Sequence, residues 1–227
     1  MSLRLGDKIP NFSADTNEGR IDSFHEWIGD SWAVLFSHPA DFTPVCTTEL
    51  ARMAQLMIEF EKRHVKPIAL SCDSVDSHRR WIEDIKSFGS LPKSTEPPFS
   101  FPIIADVERK LAVQFGMLDP DEKDAKGLPL TCRAAFVIGP EKTLKLSILY
   151  PATTGRNFDE IIRVIDSLQL TAVKKVATPA DWKSGGDCMI VPTVSAEEAK
   201  QLFPDGFKTI AVPSGKEYIR LTKQPPL

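Results

Sequence analysis

Residues 32–50 read WAVLFSHPADFTPVCTTEL, and they pass from strand to loop to helix. Residues 32–36 are an uninterrupted apolar run, as expected of a central strand covered on both faces. Residues 37–42 read as a loop. Thr43 and Pro44 then open a helix. A threonine at the N-cap can bond a free amide, and a proline in the first turn lacks only an N–H that would be orphaned there anyway. Cys46 falls at about the third helical position, near unpaired backbone N–H groups and the positive end of the helix dipole. Both favour a thiolate over a thiol, and the thiolate is the nucleophile. Thr43 can donate its hydroxyl to that sulfur or to an oxygen approaching it. The Pro39 ring can cover one side and keep bulk water off.

Outward from this stretch, the helix is expected to run to about Lys62, with Leu50, Met53, Ala54, Met57 and Phe60 as its buried face. A second buried strand follows at 66–71, then a helix at 77–88 burying Trp81, Ile85 and Phe88. Residues 89–100, rich in proline and serine, form a loop. A strand at 101–105 and a helix at 108–115 come next, with Gly116 placed to end that helix. Residues 119–129 are charged and solvated. Residues 132–138 and 144–150 form a strand pair, and a helix at 157–170 closes the unit, with Asn157 and Glu160 spaced as a capping box. Ahead of residue 32 stand a hairpin-like start and one helical turn at 24–28. This succession is an α/β layout. At 171–186 the composition turns polar, which marks a boundary: a first domain at 1–170 and an extension at 171–227. The extension holds strands at 189–191, 209–212 and 218–221 and a helix from Ser195. It is too small to bury a core alone, so it should pack on the first domain or on a partner subunit.

The chain has 227 residues, of which 42% are hydrophobic, enough for a sizeable core. A net charge of −3 offers no basic field for nucleic acid. No apolar run reaches the length of a membrane span, and the first residues lack the core of a signal peptide, so a cytoplasmic protein is expected. The four cysteines, Cys46, Cys72, Cys132 and Cys188, form no C-x-x-C pair, which argues against a dithiol oxidoreductase and against zinc. The histidines show no ligand spacing and no glycine-rich loop cradles phosphate. No metal or organic cofactor is expected.

The spacing Pro39-x-x-x-Thr43-x-x-Cys46 resembles the active-site signature of the peroxiredoxins, thiol peroxidases on a thioredoxin-like fold. The string SHPADFTPVCTTEL resembles their one-cysteine subfamily, and the resemblance extends over almost the whole chain. It implies a thioredoxin-like core, with a central sheet flanked by helices, a small C-terminal α+β extension, and a homodimer. It also implies that Arg133, in LTCRAAFVI, is the active-site arginine, and that Arg156, in YPATTGRNFDE, is a second arginine near the pocket. Glu49, three residues after Cys46 on nearly the same helix face, can bind and orient an arginine. His38, next to Pro39, would line the pocket entrance.

Peroxide reduction is an in-line attack of a thiolate on one peroxide oxygen, which leaves Cys46 as a sulfenic acid. The departing oxygen gains charge and needs donors aimed at it; Thr43 and the amides of Val45 and Cys46 are candidates. Cys72, Cys132 and Cys188 stand in no resolving motif and read as structural thiols, with Cys132 notable as the neighbour of Arg133. The resemblance therefore implies a one-cysteine mechanism with an external thiol, such as glutathione, as reductant. The substrates expected are hydrogen peroxide and organic or lipid hydroperoxides.

Two rival readings come from other classes. Residues 29–33, GDSWA, resemble the lipase-type G-x-S-x-G of some one-cysteine relatives, to which a phospholipase A2 activity is assigned through Ser, His and Asp. Here Ala33 replaces the last glycine, Glu141 stands where the family has Asp, and His25 is available. Ser31 precedes a strand, whereas a nucleophile elbow follows one, so a polar turn is the favoured reading. The other rival is a peroxide sensor or holdase whose Cys46 oxidises without turning over.

Overall fold

The computed structural model describes residues 3–92 and 99–227 and divides into two compact units, Met1–Phe158 and Asp159–Leu227. In the first, a hairpin of β1 (Ala14–Thr16) and β2 (Gly19–Ile21) leads to the short helix α1 (Phe24–Ile28), capped by Ser23. Then come β3 (Trp32–Ser37), α2 (Pro44–Gln55), α3 (Met57–Lys62), β4 (Val65–Ser71) and α4 (Val75–Phe88). β5 (Ile103–Ala105), α5 (Lys110–Gln114), β6 (Leu118–Lys123), β7 (Pro129–Thr131), β8 (Arg133–Ile138) and β9 (Leu144–Tyr150) complete it.

Seven strands form one mixed sheet in the order β2-β1-β5-β4-β3-β8-β9. β3, β4 and β5 are parallel, and β8 returns antiparallel to β3 with Leu35 opposite Phe136 and Phe36 opposite Ala135. β3 is therefore central, which accounts for its unbroken apolar run. Side chains alternate across the sheet. Ala33, Leu35, Ile68, Leu70, Ala134 and Phe136 join one core with Phe24 and Ile28 of α1 and Leu111 and Ala112 of α5. Phe36 faces the other way, its ring 6.5 Å from Phe60 of α3, and the ring of His38 lies 5.2 Å from Trp81 of α4. Helices thus flank the sheet on both faces, the α/β arrangement expected. Each large side chain sealed in this way contributes about 1.5–3 kcal/mol by leaving water.

Several local expectations need correcting. The helix expected to reach Lys62 in one piece breaks at Leu56, whose amide is shared between the Arg52 and Met53 carbonyls at 3.1 Å each; such sharing tightens the turn. Phe88 is 62% exposed. The inward stripe of α4 runs through His78, Trp81, Ile82 and Ile85, and its next step falls on Gly89, where a Cβ would stand 3.1 Å from that of Ala51. Residues 119–129 are solvated as expected, none of them buried, but the reading missed that β6 and β7 pair as a two-stranded ribbon. The loop expected at 89–100 lies partly outside the described residues. Gly116 ends α5 as expected, with φ of +65° and Met117 N–H bonded to the Ala112 carbonyl at 2.8 Å.

The second unit holds most of α6 (Phe158–Val173), then β10 (Val176–Ala177), β11 (Cys188–Ile190), α7 (Ala196–Leu202), β12 (Lys208–Thr209) and β13 (Arg220–Thr222). Its four strands form an antiparallel sheet in the order β10-β11-β13-β12. Ser195 caps α7 by accepting from the Glu198 amide. The polar stretch at 171–186 contains more order than its composition announces: it supplies β10 and Trp182, which join Leu170, Cys188, Ile190 and Phe203 in one apolar cluster.

Candidate active site

β3 delivers the chain into the 39–43 loop. Pro39 is buried there, and Phe42 is held at φ of +53°, an outlier for a bulky side chain. Thr43 takes the N-cap of α2 with extended backbone, Pro44 follows it, and Cys46 is the third helical residue, fully buried. Thr43 nevertheless does not cap. Its hydroxyl donates to the Ala40 carbonyl at 2.8 Å, and no side chain caps the first turn. The Thr43 hydroxyl is thus turned to the Ala40 carbonyl and, among the described residues, makes no hydrogen bond to the sulfur. With its proton engaged, Oγ1 offers a ligand only lone pairs.

Alternation along β8 puts Ala134 and Phe136 in the core beyond the sheet and Arg133 on the side of α2. Arg133 Nη1 stands 3.3 Å from Cys46 Sγ and 2.8 Å from Glu49 Oε2, while Nε and Nη2 bond the Ala152 carbonyl at 2.9 and 2.6 Å. Glu49, one helical turn beyond Cys46, also takes Arg156: Nε at 3.0 Å and the backbone N–H at 2.7 Å on Oε1, and Nη2 at 2.7 Å on Oε2. Arg156 Nη1 bonds the Ala134 carbonyl, and its guanidinium lies 5.2 Å from the Phe36 ring. Arg156 thus reaches the site through Glu49, not through the sulfur. Burial by itself would push the Glu49 carboxyl up; Arg156 and then Arg133 outweigh it and hold the group below its ordinary range.

His38 does not line an entrance. It is completely buried, with Nε2 3.0 Å from Asp41 Oδ1, and its Nδ1 has no hydrogen-bond partner among the described residues. Asp41 continues to His78 and Ser77, and its own N–H donates to Asp73 Oδ2 at 2.9 Å. These partners escaped the sequence reading. The one signal was an ionisable residue, His78, at a position of α4 whose spacing demands burial. Among the described residues, His38, Asp41 and Asp73 are the one set close enough to hold a metal ion. Both Asp41 oxygens and the facing oxygen of Asp73 already accept hydrogen bonds, so the cluster reads as a polar network.

The other cysteines differ from Cys46. Cys132 belongs to the core of the opposite sheet face, and Cys72 packs against that core, so neither is poised to resolve Cys46. Burial pushes Cys72 up to about 11 and raises Cys132 and Cys188, which disfavours their thiolate, the reactive form. The rival hydrolase residues are not assembled. His25 Nε2 lies 2.7 Å from the Ile9 carbonyl, so that nitrogen is a donor and not a base. Glu141 is engaged by Lys145 and by Thr143. Among the described residues no hydrogen bond joins Ser31, His25 and Glu141. Ser31→Ala is expected to leave peroxide consumption within about twofold of the parent. Phospholipid hydrolysis by the parent that disappears in this variant would establish a second site.

Known proteins resemble this chain over nearly its whole length. Residues 5–147 match the AhpC/TSA family, and residues 167–206 match the C-terminal domain of 1-Cys peroxiredoxin. The chain is 61% identical over 230 residues to the 1-Cys peroxiredoxin of Dirofilaria immitis and 63% identical over 224 residues to Peroxiredoxin-6 of Gallus gallus, with 98% of each chain covered in both cases. Among solved structures it is similar to a cysteine-to-serine mutant of the peroxiredoxin 6 of Arenicola marina (TM-score 0.94, 62% identity, 99% of both chains). It is similar also to a yeast mitochondrial 1-Cys peroxiredoxin, solved for its thiol resolving mechanism through the glutathione/thioredoxin systems (TM-score 0.84, 44% identity, 97% of this chain and 99% of that one). On these matches the chain belongs to the peroxiredoxin family, in its one-cysteine branch, and is a thiol-dependent peroxidase on a thioredoxin-like fold.

Proposed function

We propose that Cys46 is the peroxidatic nucleophile, that hydrogen peroxide and organic hydroperoxides, lipid hydroperoxides included, are its substrates, and that glutathione is the external thiol that restores it. The observation that carries this reading is one nitrogen, Arg133 Nη1, which lies against Cys46 Sγ and Glu49 together. A guanidinium so held supports negative charge on the sulfur and cannot swing away, because the Ala152 carbonyl and Glu49 grip its other edges.

The thiolate attacks the nearer peroxide oxygen. The S–O bond forms as the O–O bond breaks, and the electron pair leaves on the distal oxygen as hydroxide or alkoxide, which takes up a proton. Of the five N–H groups of Arg133, two on Nη1, one on Nη2 and that on Nε are engaged. The second Nη2 hydrogen has no partner among the described residues and is the donor we assign to the leaving oxygen, with the uncapped amides of Val45 and Cys46 beside it. Thr43 Oγ1 accepts the O–H of the incoming hydroperoxide and orients it, the reverse of the polarity its residue type suggests, and Pro39 closes the side of the site. One thiol then displaces water from the sulfenic acid to give a mixed disulfide. A second releases Cys46 and leaves oxidised glutathione.

A fully buried sulfur admits a peroxide far more easily than a tripeptide, so reduction requires the first turn of α2 to open. That turn lacks a side-chain cap, a feature worth about 1 kcal/mol where present. We read residues 1–170 as the peroxidase domain and 171–227 as its extension, and the protein as a homodimer of the cytoplasm. The edge position of β9, with Leu149 58% exposed, supports the dimer, and four free thiols suit a reducing compartment. The test of the reductant is peroxide consumption with glutathione or a thioredoxin system as sole electron source. Sustained turnover with glutathione is expected. Consumption that stops at one equivalent per subunit with every thiol tried would make the protein a sensor or holdase.

A further inference from the structure

Behind the 39–43 loop lies a cluster of ionisable side chains that the peroxide chemistry does not use. His78 is completely buried, with Nδ1 2.7 Å from Asp41 Oδ2 and Nε2 3.2 Å from the Ile104 carbonyl. A carbonyl only accepts, so Nε2 carries a proton. Asp41 Oδ2 also receives the Ser77 hydroxyl at 2.7 Å, and Oδ1 faces His38 Nε2. These donors favour the carboxylate, and a carboxylate facing Nδ1 requires a second proton on His78. The ring is then an imidazolium and the pair is a buried salt bridge. The same argument makes His38 a donor through Nε2 and leaves its Nδ1 a bare lone pair, in keeping with its having no partner among the described residues. Among the described residues, the titratable groups seen beside this pair are His38, its ring 6.4 Å from that of His78, and Asp73, which lies within 4.8 Å of Asp41 and His38. Burial alone would push the Asp41 carboxyl up; the two histidines outweigh it and hold it well below the ordinary range.

The loop needs such an anchor. Phe42, next to Asp41, stands at φ of +53°, a conformation that costs about 1–2 kcal/mol for a side chain of this kind. Asp41 is tied at both ends, its carboxylate to His38, His78 and Ser77 and its N–H to Asp73, which Ser71 holds in turn at 2.8 Å. We propose that Asp41 and His78 are positioning residues for the peroxidase reaction: an imidazolium at His78 anchors the Asp41 carboxylate, which fixes the 39–43 loop, the tautomer of His38 and the start of the helix that presents Cys46. Neither residue touches the sulfur. The proposal rests on the reading of Cys46 as the peroxidatic nucleophile.

The test is nitrogen-15 NMR of the histidine side chains in the reduced full-length protein, with His78→Gln for assignment. From these contacts His78 is expected to carry protons on both nitrogens, and His38 on Nε2 alone. In Asp41→Asn, His38 loses its fixed tautomer and oxidation of Cys46 slows by about ten- to hundredfold, the scale of a misplacement near 1 Å. The double variant Asp41→Asn/His78→Gln is expected to be no slower than the worse single one, as for residues acting as a unit. A singly protonated His78 at neutral pH would overturn the proposal even if Asp41→Asn does not fold. So would a folded Asp41→Asn protein that oxidises at the parent rate. A parent protein in which Cys46 itself fails to oxidise would instead overturn the peroxidatic reading.

Discussion

Replacing Arg133 with methionine is expected to slow the oxidation of Cys46 by hydrogen peroxide about 10²- to 10³-fold, the cost of removing one preorganised donor from a water-excluded site. The effect is large because Arg133 acts on both ends of the reaction. Its Nη1 stands 3.3 Å from Sγ, where it favours charge on the sulfur, and its second Nη2 hydrogen, without a partner among the described residues, is the donor proposed for the oxygen that leaves. Methionine keeps much of the apolar stem, and Glu49 keeps Arg156, so the fold is expected to survive and the loss to fall on the rate. Arg133→Lys retains the charge as a point donor that cannot reach Ala152, Glu49 and the sulfur together; a partial loss is expected. Stopped-flow fluorescence measures both. An unchanged rate in the methionine variant would remove Arg133 from the site.

Glu49→Gln is expected to cost about 3–5 kcal/mol of stability, read by denaturant unfolding, because it leaves two buried guanidinium groups without their shared anion. The side chains of Glu49 and Arg133 are each 3% exposed, and that of Arg156 1%, so solvent screens little of this. An amide cannot replace the carboxylate: it offers one oxygen where two are used and turns an NH₂ toward the arginines. The acid response should change as well. The folded protein holds Glu49 below its ordinary value of 4.5. Its contribution is therefore complete above that value, where the unfolded chain is also ionised, and is lost as pH falls through it toward the folded value. The parent should lose stability over this acid range and Glu49→Gln should lose less. Equal acid profiles would show that the clamp contributes nothing to stability.

The elements that present the nucleophile were legible because each depends on residues close in sequence. Threonine and proline at 43 and 44 predict where α2 starts, a run with no polar residue predicts a central strand, and Glu49 follows Cys46 by about one helical turn. What escaped depends on distant partners. The direction of the Thr43 hydroxyl is set by the Ala40 carbonyl, and N-cap preference does not determine which neighbour wins. That Glu49 binds both arginines required β8 to be placed beside β3. Alternation along residues 132–138 already separates Cys132 from Arg133, and applying it would have put Cys132 on the far side of the sheet. His78 was readable as a buried histidine, but its partner Asp41 lies 37 positions earlier, beyond any local pattern.

The most direct test of the central claim is a stopped-flow titration of the fully reduced protein with hydrogen peroxide, parent and Cys46→Ser side by side, with oxidised residues identified by mass. Trp81 is a suitable reporter: it is buried, its Nε1 bonds the hydroxyl of Thr47, the residue after Cys46, and its ring lies 5.2 Å from that of His38. The expected result is rapid oxidation with one equivalent of peroxide per chain, confined to Cys46 and absent in the serine variant. Slow oxidation spread over Cys72, Cys132 and Cys188 would contradict it, because it would mean that the Arg133–Glu49 arrangement does not activate the sulfur it touches.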